Sequence, residues 1–110
     1  MINFDPTYLS PNFSFRDSIV TLPAMNNILI APANLSRVLL MFQSVVSAWT
    51  ARPIKSGAAN IGWTTTVASQ ILTFDFATYG SIVGMQWYAF SPGAGGALYV
   101  AEIIYIPIGQ

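Results

Sequence analysis

The chain has 110 residues, of which 54% are hydrophobic and only 7% charged, with no His and no Cys. That length suits one domain with a single two-layer core and leaves no room for a second. Four cations, Arg16, Arg37, Arg52 and Lys55, balance Asp5, Asp17, Asp75 and Glu102, so the formal net charge is zero. No basic field exists to neutralise a run of phosphates, and nucleic acid is not an expected partner. The lack of Cys excludes a disulfide framework and thiolate metal sites, and the lack of His removes the commonest proton shuttle and transition-metal ligand. No cofactor is expected.

Residues Met1–Arg16 carry two prolines, several Asn and Ser punctuators and no clear period, and they read as an extended N-terminal arm ahead of a domain over 17–110. Met1-Ile2-Asn3-Phe4-Asp5-Pro6 lacks the basic and apolar regions of a signal peptide, so the mature chain is expected to begin at Met1. Solvated tails are poor in aromatics, whereas this arm holds Ile2, Phe4, Tyr8, Phe13 and Phe15. Those five side chains are expected to dock, either on a neighbouring protein or across their own domain.

From Asp17 onward short β-rich segments alternate with turn residues. Strands are predicted over Ser18–Leu22, Met25–Ile30, Arg37–Val45, Trp49–Ile54, Ile61–Val67, Gln70–Phe76, Met85–Phe90 and Leu98–Ile106. Pro23, Pro32, the loop Lys55–Asn60, Gly80 and the glycines of Ser91–Gly96 punctuate them. Even spacing of short strands predicts an all-β fold, an antiparallel β-sandwich or jelly roll with almost no helix. Gly93-Ala94-Gly95-Gly96 resembles a phosphate cradle only superficially, since no Lys-Ser/Thr follows it, and it reads as a hairpin connection.

Side-chain alternation carries the functional clue. In the last strand Tyr99, Ala101, Ile103 and Tyr105 share one face, and Leu98, Val100, Glu102 and Ile104 share the other. Arg37–Val45 and Met85–Phe90 likewise present apolar residues on both faces. A lone antiparallel sandwich solvates one face of each sheet, and designed soluble surfaces carry roughly 25–35% charged residues. The pattern therefore predicts a homo-oligomer, with a trimer expected, built on sheet faces through Tyr99, Ile103 and Tyr105, with Arg37 and Glu102 in the same interface. No run reaches the length of about 18 apolar residues needed for a spanning helix, and no membrane partner is expected.

Catalysis would have to rest on carboxylates, of which the strand region holds Asp75 and Glu102. A two-carboxylate hydrolase needs such groups at a set separation with one pKa raised by burial. Glu102 reads more simply as an ion-paired residue meeting Arg37 or Arg52, and Asp75 as an outward residue of its strand. No enzymatic activity is expected. Trp49, Trp63, Trp87 and the tyrosines Tyr79, Tyr88, Tyr99 and Tyr105 have the chemistry of a sugar-stacking platform, but their spacing fits core filling and interface anchoring better.

The order Arg37-Val38-Leu39-Leu40-Met41-Phe42-Gln43, Ile71-Leu72-Thr73-Phe74-Asp75-Phe76-Ala77-Thr78-Tyr79-Gly80, Met85-Gln86-Trp87-Tyr88-Ala89-Phe90 and Tyr99-Val100-Ala101-Glu102-Ile103-Ile104 resembles small virion proteins of tailed bacteriophages. The resemblance spans Leu35 to Ile106. It departs from the family's Asn-Thr-Gly turn after the Gln, which is here Ser44-Val45-Val46, and it does not cover the arm. It implies a β-sandwich, often trimeric, that decorates or cements a capsid, with the major capsid protein or another virion protein as partner. Such a protein is made in the host cytoplasm and resides on the capsid surface. A carbohydrate-binding or tail-fibre module for receptor recognition is the alternative expectation.

Overall fold

A computed structural model of the chain describes residues 12–53 and 62–106. Among these residues eight strands form two antiparallel four-stranded sheets: β1 (Phe13–Leu22), β2 (Asn27–Ala31), β3 (Arg37–Ser44), β4 (Thr50–Arg52), β5 (Trp63–Thr64), β6 (Ile71–Asp75), β7 (Trp87–Phe90) and β8 (Gly96–Tyr105). The first sheet has the order β1-β8-β3-β6 and the second β2-β7-β4-β5. Strand one pairs with eight, two with seven, three with six and four with five. The chain is thus one long antiparallel ribbon doubled at β4–β5 and wrapped so that β8 lies against β3 and β7 against β4. This is the double-sheet jelly roll, in which most successive strands change sheet.

The β-branched and aromatic content of the strands suits a pleated, half-buried surface. Pro23 follows β1 and Pro32 follows β2, where a residue without an amide hydrogen ends a ladder. The inner faces meet in a core of Leu22, Ile30, Leu40, Phe42, Trp49, Phe74, Val83, Trp87, Leu98 and Val100. Its centre is aromatic. Phe74 and Trp87 have ring centroids 4.5 Å apart, Trp63 lies 5.1 Å from Phe74, and Phe42 meets Trp49 edge-on at 6.1 Å. Edge and offset geometries of this kind add about 0.5–1.5 kcal/mol per pair to area burial.

Three sequence expectations are corrected. Phe13–Arg16, assigned to the arm, open β1 and pair with Tyr105–Glu102, so the strand begins five residues before Ser18. The rest of the arm, including Ile2, Phe4 and Tyr8, lies outside the described residues. Strand β6 stops at Asp75 because that carboxylate accepts the Thr78 amide at 2.8 Å and caps a four-residue helix, α1 (Phe76–Tyr79). Gly80, at φ 66°, then takes the left-handed conformation that closes α1 and opens a 3-10 turn over Gly80–Gly84. Finally, Ser91–Gly95 is no hairpin: it carries the chain from β7 in the second sheet to β8 in the first.

Candidate interaction face

Strand registers assign every side chain of the first sheet to a face. Phe13, Phe15, Asp17, Ile19 and Thr21 of β1 stand beside Tyr105, Ile103, Ala101, Tyr99 and Ala97 of β8. Leu39, Met41 and Gln43 of β3 continue these rows, and Asp75, Thr73 and Ile71 of β6 complete them. Alternate residues of the same strands, including Leu22, Leu40, Phe42, Phe74, Leu98 and Val100, fill the core, so the first set forms the outer face.

That outer face is apolar and open. Ile19 is 74% exposed, Phe15 59%, Ile71 53%, Tyr105 42% and Phe13 37%. Phe13 and Tyr105 meet edge-on with centroids 5.7 Å apart. No Lys or Arg lies on the face, and its two carboxylates are both engaged. Asp17 accepts the Tyr99 hydroxyl at 2.9 Å, and Asp75 holds the start of α1. The bond to Asp17, with burial and the carboxylate's charge as smaller causes, raises the Tyr99 phenol above its ordinary pKa. Hydrogen bonds from Thr78 hold the Asp75 carboxyl below its ordinary pKa. The outer face of the second sheet differs: Asn27, Thr50, Thr64 and Arg52 sit among Leu29, Tyr88 and Phe90, and the Thr50 and Thr64 hydroxyls bond each other at 2.9 Å.

The structure brings together Phe13, Phe15, Tyr99, Ile103 and Tyr105, which the sequence had divided between an arm and a sheet interface. It removes Arg37 and Glu102 from that surface. The β3 register shifts between Arg37 and Leu39, and this bulge turns Arg37 inward in place of Val38, to 2% exposure. Its Nε donates to Glu102 at 2.7 Å, Nη1 to the Val83 and Met85 carbonyls at 3.0 Å each, and Nη2 to the Pro32 carbonyl at 2.6 Å. The expected Arg37–Glu102 pair is present, with Arg16 adding a second contact to Glu102 at 3.2 Å. Its role is internal: it ties β3 and β8 to the 3-10 turn and to the end of β2.

Chemistry elsewhere is sparse. Glu102 stands opposite Leu40 on the inner side of the sheet and Asp75 opposite Leu39 on the outer side, so the two carboxylates cannot flank one scissile bond. A groove of about 520 Å³ between Val45–Ala48 and Ser91–Gly95 is lined by small and aliphatic residues, with no charged or aromatic group to orient a ligand. Trp49 and Trp87 are fully buried and Trp63 packs on Phe74, which leaves no tryptophan platform for a sugar. Ile19, Leu39, Met41 and Ile71 belong to the outer face but were not singled out in the sequence, although Ile19 shares the odd-numbered period of Phe13 and Phe15. Comparison with family models, with curated proteins and with solved structures gives no match.

Proposed function

We propose that the protein is a non-enzymatic structural subunit of a virion, a capsid cement or decoration protein that acts by binding repeated sites on an assembled shell. The observation that carries this reading is the outer face of the first sheet, where five large apolar side chains stand exposed and no cation interrupts them. Contiguous apolar surface of this kind marks protein–protein contact. The jelly roll itself adds only an analogy, since the same fold serves viral capsids and lectins. Full burial of Trp49 and Trp87, with Trp63 half-buried against Phe74, disfavours the carbohydrate-binding alternative.

The mechanism is thermodynamic. A protein that binds the assembled shell and not its dissociated parts stabilises the shell by mass action, and an oligomer bridging several sites gains further from effective concentration. Quantitative mass spectrometry of particles sedimented from a lysate of the source tests the reading. It expects the protein to travel with the particles at a copy number set by icosahedral geometry. Absence from particles overturns it, and a copy number tied to a tail assembly overturns the head placement.

A further inference from the structure

The four strands behind the apolar face are 10, 10, 8 and 5 residues long. At about 3.4 Å per residue and about 4.8 Å between strands, they span roughly 500 Å² of flat sheet before side-chain relief is counted. A stable interface of standard size takes about 800 Å² of accessible surface from each partner, which a corrugated sheet of that extent approaches. The face thus matches in size what one similar sheet would cover. Its chemistry points the same way: without a cation it offers nothing to an acidic partner, and its two carboxylates each accept a hydrogen bond from the chain itself and stand among large apolar side chains, so the complement it fits best is another apolar sheet face.

We propose that this face is covered by the same face of a second copy of this chain, packed sheet against sheet about a twofold axis running along the strands. The inference deepens the structural-subunit reading and rests on it. Such an axis lays β1 of each copy over β6 of the other at the same height. Ile19, Tyr99, Gln43 and Ile71 share one row, so Ile19 of each copy meets Ile71 of the other, which pairs two of the most exposed side chains on the face. A trough of about 240 Å³ beside Ile19, Ala97 and Tyr99 provides relief for interdigitation. Asp17 lies in the row of Ala101, Met41 and Thr73, so it meets Thr73. A twofold axis across the strands would instead stack β1 on β1 and bring the two Asp17 carboxylates together, which repulsion disfavours. Isologous pairing of this kind closes at two copies.

Sedimentation equilibrium of the full chain at micromolar concentration tests the proposal, with circular dichroism melting to confirm folding. The intact chain is expected to be a dimer. Ile19→Lys is expected to weaken association more than about tenfold, because it buries an unpaired charge. Leu29→Lys, on the outer face of the second sheet, is expected to leave the dimer unchanged. Adding Ile71→Glu to Ile19→Lys is expected to restore pairing, since the two positions meet only between copies. A monomeric intact chain, a trimer, a dimer indifferent to Ile19→Lys, or a folded double variant that stays monomeric would each overturn the twofold arrangement. If Ile19→Lys does not fold, Ile71→Glu alone carries the same expectation of dissociation. A monomer that still travels with particles overturns the pairing and spares the structural reading; a dimer never found in particles does the reverse.

Discussion

Arg37 gathers one end of the molecule, because its guanidinium holds the Glu102 carboxylate and three backbone carbonyls at once while almost completely buried. Replacing it by Ala takes the guanidinium from three carbonyls and leaves Glu102 with Arg16 alone, and breaking a buried pair from one side costs up to about 3–5 kcal/mol. Arg37→Lys should recover little of this, since an ammonium has no planar fork to reach the four acceptors together. Glu102→Gln should cost less, about 1.5–3 kcal/mol, as Arg37 keeps its three carbonyls. Urea midpoints of the three variants check the ranking, and equal losses would contradict it. Two exposed groups give stability a pH dependence of opposite signs. The Tyr99 phenol has its pKa raised in the folded state by the bond to Asp17, so its contribution is complete below the unfolded value and lost as pH rises through the folded one. The Asp75 pKa is lowered by Thr78, so its contribution is present above the ordinary carboxyl range and lost as pH falls through the lowered value. Melting temperatures across pH should show Tyr99→Phe flattening the alkaline limb and Asp75→Asn the acid limb.

Among the elements, β8 and β7 were legible from alternation alone: Leu98 and Val100 point inward and Tyr99, Ile103 and Tyr105 outward, while Trp87 and Ala89 are buried beneath Tyr88 and Phe90. The start of β1 was hidden. Phe13, Phe15 and Ile19 keep a strict period of two, but Asp17 interrupts it, and only the cross-strand bond from Tyr99 explains a carboxylate on an apolar face. The inward turn of Arg37 was hidden for a similar reason, since a bulge shifts alternation by one residue and leaves no mark in composition. The loop after β7 reads as a flexible hairpin because of its glycines, yet Gly95 is there for close approach. A Cβ at Gly95 would lie 2.2 Å from the Leu22 carbonyl oxygen, whereas one at Gly93 meets nothing within 4 Å. Gly95→Ala should therefore destabilise by about 1–3 kcal/mol through forced backbone movement, and Gly93→Ala should be close to neutral. Thermal melts of the two variants separate a packed crossover from a floppy turn, which would tolerate both.

At the scale of the whole molecule, low charge and doubly apolar strands make sense together once the two sheets are distinguished. One sheet carries a mixed face on which Thr50 and Arg52 are buried, and the other an exposed apolar one. Composition revealed that surplus apolar surface existed, but pairing order was needed to collect it on one sheet, because β1, β8, β3 and β6 become neighbours only when the ribbon wraps. The absence of native cysteine allows a single introduced thiol to report directly on whether the collected face is covered. The measurement is the maleimide labelling rate of Ile19→Cys, on the apolar face, against Leu29→Cys, on the other sheet, in the folded protein at micromolar concentration. In one isolated chain position 19 is the more open, at 74% exposure against 44%. A covered face predicts the reverse order, with the thiol at position 19 labelled more slowly than that at 29 and the difference fading on dilution. Faster labelling at position 19 at every concentration would contradict the account.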